Sequence, residues 1–279
     1  MTYSLLSPLR NLCLALTPHY VSLRLLLAGS GIALLTSGCG TYAPALSIDR
    51  SIQAKSQNSR VEFIVLHYTS ANSSRSLKIL SEQNVSSHYL VTDARRPHIY
   101  QLVDENRRAW HAGLSQWYGR TDLNASSIGI EIVNEGRTDE GWAPYPPAQI
   151  GIVIALLKDI IGRHQIKPPN IVGHSDIAPQ RKTDPGPLFP WKQLAAAGIG
   201  RWYDAARAYQ YEKEFLLHGM PDIAWIQAEL ARVGYAVPRN GELDKATRNV
   251  LAAFQMHFRP SRCDGMPDAE TVGILKALP

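Results

Sequence analysis

His67, His174 and Asp184 are the residues of this chain best suited to hold a metal ion. Two imidazoles and one carboxylate make a zinc set, and three protein ligands leave the fourth tetrahedral position open for water. A metal held in that way lowers the pKa of its water to about 7, which makes a nucleophile available at neutral pH. The three residues lie far apart along the chain, so spacing alone leaves a second reading open. A histidine at the end of a strand is often structural, or faces a substrate without touching metal.

Each of the three stands at the end of a recognisable segment. Val61 to His67 is a β-rich run that reads as a buried strand, and Asn170 to His174 as a short one. A Pro/Gly-rich loop from Pro179 to Pro190 carries Asp184. Ile128 to Val133 is another apolar strand, while His88 to Thr92 and His98 to Val103 read as paired strands around a polar turn at residues 93–97. Helical spacing runs from Arg75 to Gln83, with apolar residues at Leu77, Ile79 and Leu80. Pro147 opens a second helix through Arg163, and Trp191 to Ala197 begins a closing one. Strands alternating with helices predict an α/β fold, a mixed central β-sheet flanked by helices. After an aromatic and charged joint at residues 201–220, either a docked helix or a linker, the pattern resets. Three helical stretches follow, at residues 222–233, 244–258 and 268–278, and predict a small C-terminal three-helix domain. Such a segment has a small core, so it is expected to dock or to remain marginally stable.

The 279 residues are 45% hydrophobic, 8% aromatic and 19% charged, which excludes collagenous and wholly disordered classes. At about 150 residues per domain the length predicts two domains, here residues 60–200 and 221–279. A formal charge of +5 without any run of five basic residues argues against a nucleic-acid partner. Three cysteines cannot build a disulfide scaffold. Residues 1–38 contain no acidic side chain, and Arg10 and Arg24 precede an apolar run from Leu25 to Leu35 and the small residues Thr36, Ser37 and Gly38. That is the pattern of a secretory signal, and the run is shorter than the roughly 20 residues a membrane span needs. Leu35 to Cys39 resembles a bacterial lipobox, with Thr36 standing where an aliphatic residue is usual. The resemblance implies a lipid on Cys39, a tether over residues 40–59 and membrane attachment through the lipid; cleavage without lipid is the alternative. Gly40 is not the aspartate that retains such proteins at the inner membrane, so the outer membrane is the expected address.

Five blocks occur in one order: Phe63–Thr69, Ser86–Val91, Trp110–Gly113, Ser127–Glu131 and Val172–Pro179, the last continuing to Pro187 through Arg181 and Lys182. Together they resemble the zinc N-acetylmuramoyl-L-alanine amidases that share a fold with peptidoglycan recognition proteins. The resemblance implies that His67, His174 and Asp184 ligate zinc, that Glu131 is the catalytic acid and base, and that Lys182 stabilises the oxyanion. Asn134, His111 and Arg181 lie in or beside the blocks and are candidate substrate contacts. Bland alternatives exist for Glu131 as a solvated strand carboxylate and for Lys182 as a loop charge. His88 is expected to pack inside the sheet; His98, His164, His218 and His257 match nothing and are expected to be structural or exposed.

Trp225–Leu230, Gly234–Tyr235, Asn240–Asp244, Thr247 and Ala253–Gln255 resemble the small peptidoglycan-binding domain appended to many cell-wall hydrolases. Leu243 and Phe254 should face its core, and Asp244 should cap its second helix. With the lipobox, this is most similar to outer-membrane lipoprotein amidases of Gram-negative bacteria. The expected activity is hydrolysis of the bond between N-acetylmuramic acid and L-alanine, with peptidoglycan or muropeptides as the partner. The alternatives are a peptidoglycan-binding protein without catalysis, or a cytosolic amidase for anhydro-muropeptides, which the export pattern opposes.

Overall fold

The computed structural model describes residues 46–279. The export segment, the lipobox and Cys39 lie outside the described residues. Residues 46–53 carry neither helix nor strand, and Ala54–Pro279 form one compact unit. Among the described residues no helix is long and apolar enough to cross a membrane.

The elements follow in the order β1 (Phe63–Tyr68), α1 (Ser73–Glu82), β2 (Tyr89–Val91), β3 (Ile99–Gln101), β4 (Gln116–Trp117), β5 (Arg120–Thr121), β6 (Ser127–Ile132), β7 (Arg137–Thr138), β8 (Gly141–Trp142), α2 (Pro147–His164), β9 (Ile171–Gly173), α3 (His174–Ile177), α4 (Trp191–Ala196), α5 (Ala205–His218), α6 (Ile223–Arg232), α7 (Lys245–Phe258) and α8 (Ala269–Ala277). The main sheet has the order β3-β2-β6-β1-β9. Only β3 runs antiparallel to its neighbour. The expected mixed sheet is therefore present, and β4–β5 and β7–β8 add two small hairpins.

Alternation along the central strands assigns each face its task. On β1, Ile64 and Leu66 join Ile128, Ile130 and Ile132 of β6 against Ile150, Val153, Leu157 and Ile160 of α2. The opposite face carries Phe63, Val65 and His67 on β1, and Ser127, Gly129 and Glu131 on β6. Val65 pairs with Gly129 and His67 with Glu131. Both faces are covered; β1 reads as a nearly unbroken apolar run up to His67, whereas β6 alternates isoleucine with Ser127, Gly129 and Glu131. The parallel strands direct their carboxyl ends to one edge, where open α/β sheets commonly place ligands.

Beyond the sheet, α5 fills the expected joint as a docked helix. A Cβ on Gly273 of α8 would stand 2.7 Å from the Ala208 carbonyl oxygen of α5, so only glycine permits this approach of the two backbones. The three expected C-terminal helices are α6, α7 and α8. Asp204, Asp222, Asp244 and Asp268 cap α5 to α8 in turn, each side chain accepting from the N–H three residues on. Those bonds satisfy otherwise orphaned donors and place negative charge at the positive helix ends. One apolar cluster runs from Phe63, Val65, Val172 and Ile177 into Ile226, Leu251, Phe254 and Leu275, so the C-terminal helices share a core with the sheet.

Candidate active site

His67, next to last in β1, lies beside Glu131 at the end of β6. His174 opens α3 directly after β9, and the loop that follows returns Asp184 to the same place. His67 Nδ1 and His174 Nδ1 are 2.9 Å apart, and each is 3.0 Å from Asp184 Oδ2. All three side chains are buried. Ser175 N–H donates to the Asp184 carbonyl at 2.8 Å, which ties the loop to α3.

The surrounding bonds decide what those three atoms present to one another. His174 Nε2 lies 3.1 Å from the Ala112 carbonyl and 3.3 Å from the Arg181 guanidinium; with its proton on Nε2, donated to the nearer carbonyl, Nδ1 is bare. A longer relay does the same for His67. The Ser127 hydroxyl gives its one proton to the Leu123 carbonyl at 2.5 Å. Ser127 Oγ therefore accepts from His111 Nε2 at 3.2 Å, and His111 Nδ1 accepts from His67 Nε2 at 3.1 Å. His67 Nδ1 is left bare as well. Three lone pairs then meet with no proton between them, an arrangement that repels itself unless a cation sits among them. A tetrahedral zinc with ligands at about 2.0–2.1 Å holds its donors about 3.3 Å apart. The group fits a metal in donor type, spacing and tautomer.

Electrostatics agree with that reading. Burial, then the neighbouring His174, lowers the His67 pKa to about 4, so the ring is neutral and ready to ligate at pH 7. Burial and the adjacent His67 hold His111 well below the ordinary histidine value. Burial alone pushes the Asp184 carboxyl up, but in the metal-free site positive charge on His174 and hydrogen bonds from both imidazoles outweigh it and keep the group below the usual carboxylate range; a cation among the three donors would play the same part. Glu131 goes the other way: burial first and the Asp184 charge second raise it well above the usual value, against the pull of Lys182. Its Oε2 is buried without a hydrogen-bond partner. Such a carboxyl, perturbed by burial and by a named charge inside a cleft, is suited to proton transfer.

A cavity of about 390 Å³ opens over these groups and is lined by His67, Glu131, His174, Lys182 and Asp184, with Trp110 at its lip. Trp110 is half exposed, and the Arg108 guanidinium stacks on its ring at 4.4 Å. The structure thus brings together the three expected ligands, the expected acid and base, and the expected oxyanion partner.

Of the three expected substrate contacts, His111 and Arg181 line the cavity and Asn134 does not. Asn134 is buried and does not line the cavity. Its amide donates to the Ala143 and Pro144 carbonyls and accepts from Gly136 N–H, so it builds the β7–β8 turn. His111 borders the cavity floor, but both ring nitrogens are committed to the relay. Arg181 also borders the cavity; its Nε and Nη2 donate to the Ala112 and Leu114 carbonyls, and Nη1 is not engaged by them. His88 packs in the sheet as expected, accepting from Gly129 N–H and donating to the Arg107 carbonyl.

Ser127 and Asp176 escaped the sequence reading. Ser127, Gly129 and Glu131 alternate with Ile128, Ile130 and Ile132, and that period-two pattern marks a polar face on an otherwise apolar strand. Gly129 belongs to the same face because a Cβ there would stand 2.4 Å from the His111 ring.

Comparison with known proteins gives concordant results. A family model described as N-acetylmuramoyl-L-alanine amidase matches residues 57–187, and a peptidoglycan binding domain model matches residues 219–275. The chain is similar to the N-acetylmuramoyl-L-alanine amidase AmiD of Escherichia coli (strain K12), 46% identical over 260 residues that cover 88% of this chain and 94% of AmiD. A crystal structure of AmpDh3 from Pseudomonas aeruginosa superposes with a TM-score of 0.79 at 42% identity, covering 84% of this chain and 98% of that one. The E. coli AmiD complex with anhydro-N-acetylmuramic acid-L-Ala-D-gamma-Glu-L-Lys superposes with a TM-score of 0.74 at 46% identity, covering 83% and 93%.

Proposed function

The chain belongs to the N-acetylmuramoyl-L-alanine amidase family, and on that premise we propose how its residues cut the amide between N-acetylmuramic acid and L-alanine. It is an enzyme of cell-wall turnover or recycling, acting on peptidoglycan or on muropeptides released from it. The observation that carries the catalytic assignment is the meeting of His67, His174 and Asp184 beside Glu131, whose Oε2 is buried without a hydrogen-bond partner. A protein that only binds the wall has no need of that combination.

His67, His174 and Asp184 are proposed to hold one zinc ion, which supplies a Lewis acid and lowers the pKa of a water to about 7. Glu131 removes a proton from the attacking water. Burial raises its pKa, which suits it to take that proton and, once protonated, to give it to the leaving nitrogen of L-alanine. Lys182 places an ammonium in the same cavity, where it offsets negative charge that develops on the carbonyl oxygen. His111 and Ser127 keep the proton of His67 on Nε2, so that Nδ1 faces the other two donors. Ser127→Ala is expected to weaken zinc binding by about tenfold, measured by competition with a chelator. Unchanged affinity would show that the relay does not govern the tautomer.

Relatives crystallised with anhydro-muramyl peptides support muropeptides of that kind as substrates. Since the substrate belongs to the cell envelope, the export pattern over residues 25–39 supports a lipid on Cys39 and an outer-membrane location. The test of the activity is mass spectrometry of a defined anhydro-muropeptide after incubation with the purified chain. The expected products are the free sugar acid and a peptide that begins with L-alanine. An intact substrate, or a cut elsewhere in the peptide, would overturn the assignment.

A further inference from the structure

Asp176 joins the C-terminal helices to the proposed metal site. It lies on α3, two residues after His174, and is 1% exposed. Its Oδ2 accepts from Gly173 N–H at 2.7 Å and from His257 Nδ1 at 2.8 Å, while Oδ1 accepts from the Tyr235 hydroxyl at 2.6 Å. A carboxylate buried this deeply is tolerated only when donors surround it. Of its three donors, one is the main chain just before His174. The other two come from beyond α5, since Tyr235 follows α6 and His257 lies in the last turn of α7.

Both distant donors are fixed by aromatic packing. The His257 ring is sandwiched between Trp191 of α4, at 3.8 Å and 13°, and Phe258, at 4.1 Å and 13°. Tyr235 meets Trp117 edge-on at 4.9 Å. Further bonds cross the same boundary: Tyr118 N–H donates to the Gly234 carbonyl at 2.9 Å, and Gln180 exchanges hydrogen bonds with the Ala246 carbonyl and the Asn249 side chain. The α3 turn that Asp176 closes presents His174 and, through Ser175 N–H, holds the main chain of Asp184.

We propose that the C-terminal module is a structural part of the catalytic centre, with Tyr235 and His257 as positioning residues that hold Asp176 and, through it, the turn bearing His174 and Asp184. The proposal rests on the reading of those two residues as metal ligands. A module built in this way braces the site and does not swing on a tether, so its docking and the metal affinity are coupled.

The test uses the full chain with Tyr235→Phe, which removes one hydroxyl, and two variants of His257. His257→Phe keeps a flat apolar ring in the stack and loses the donor; His257→Asn loses the stack and keeps a donor near the Nδ1 position. Two quantities are read, amide hydrogen exchange of residues 173–177 in metal-free protein and zinc affinity by chelator competition. Tyr235→Phe and His257→Phe are expected to speed exchange at Gly173 and Ser175 and to weaken zinc binding by about tenfold, the low end of the cost of losing an outer partner of a ligand. Exchange in β1 and β6 should be unchanged, and His257→Asn should bind zinc more nearly as the parent does. Parent-like zinc affinity and parent-like exchange at residues 173–177 in the phenylalanine variants, even with lowered melting temperatures, would overturn the proposal. Should His257→Phe fail to fold, Tyr235→Phe decides alone. Should the parent bind no zinc, the metal assignment fails while the exchange measurement still decides the brace.

Discussion

Replacing Glu131 by glutamine is expected to lower turnover by a factor on the order of 10²–10⁴ while zinc content stays at the parent level. Glutamine preserves size and leaves the three donors untouched, so only proton transfer is lost. A second consequence follows from the direction of the pKa shift. Burial favours the neutral carboxyl, which places the folded-state pKa well above the ordinary 4.5. Below the ordinary value both folded and unfolded chains carry the proton, and burial costs nothing extra. As pH rises past it, the unfolded chain ionises first, and the stability contributed by the buried neutral group is lost until the folded pKa is passed. Metal-free Glu131→Gln should therefore melt a few degrees above the parent at pH 7–8 and show no gain near pH 4. Loss of activity with gain of stability is the signature of a group buried for chemistry. A variant that keeps parent turnover would assign proton transfer to another group, and one that melts lower at pH 8 would contradict the upward shift of the Glu131 carboxyl.

His174→Ala should abolish both metal binding and hydrolysis. Two donors remain, His67 Nδ1 and Asp184 Oδ2, and the Ala112 carbonyl loses the imidazole N–H that it accepts. The several kilocalories per mole of charge stabilisation that a metal contributes correspond to a turnover loss on the order of 10³ or more. Removing the metal from the parent with a chelator should have the same effect on activity and leave the fold intact, because the sheet and the shared apolar core do not depend on the ion. Zinc content by mass spectrometry and circular dichroism check the two halves of this expectation. Retained hydrolysis in metal-free His174→Ala would end the metal-assisted mechanism.

The legible part of the molecule was the part written in local pattern. Apolar runs at Phe63–Leu66 and Ile128–Ile132 mark strands whatever packs on them, and Asp222, Asp244 and Asp268 announce their helices because capping is a contact of three residues. Ordered blocks of sequence pointed to His67, Glu131, His174, Lys182 and Asp184, and the fold brings all five to one cavity. What remained hidden depends on distance along the chain. Asn134 stood beside a matching block, yet its burial follows from the turn formed by residues 134–144. His111 was assigned to substrate because the chain alone does not reveal that Ser127 and His67 flank it in space. His257 matched no motif and belongs to the surroundings of Asp176, 81 residues away. The helix α5 lacked a clean period because Ala208 is its one buried residue, while Tyr211 and Phe215 pack only partly against the apolar core.

The most direct test of the whole account is anomalous X-ray diffraction from crystals of the zinc-loaded protein, recorded at energies on either side of the zinc absorption edge. One peak is expected, in contact with His67 Nδ1, His174 Nδ1 and Asp184 Oδ2 and beside the Glu131 carboxyl. An active preparation whose crystals show no zinc peak there, or show one ligated by other residues, would contradict it.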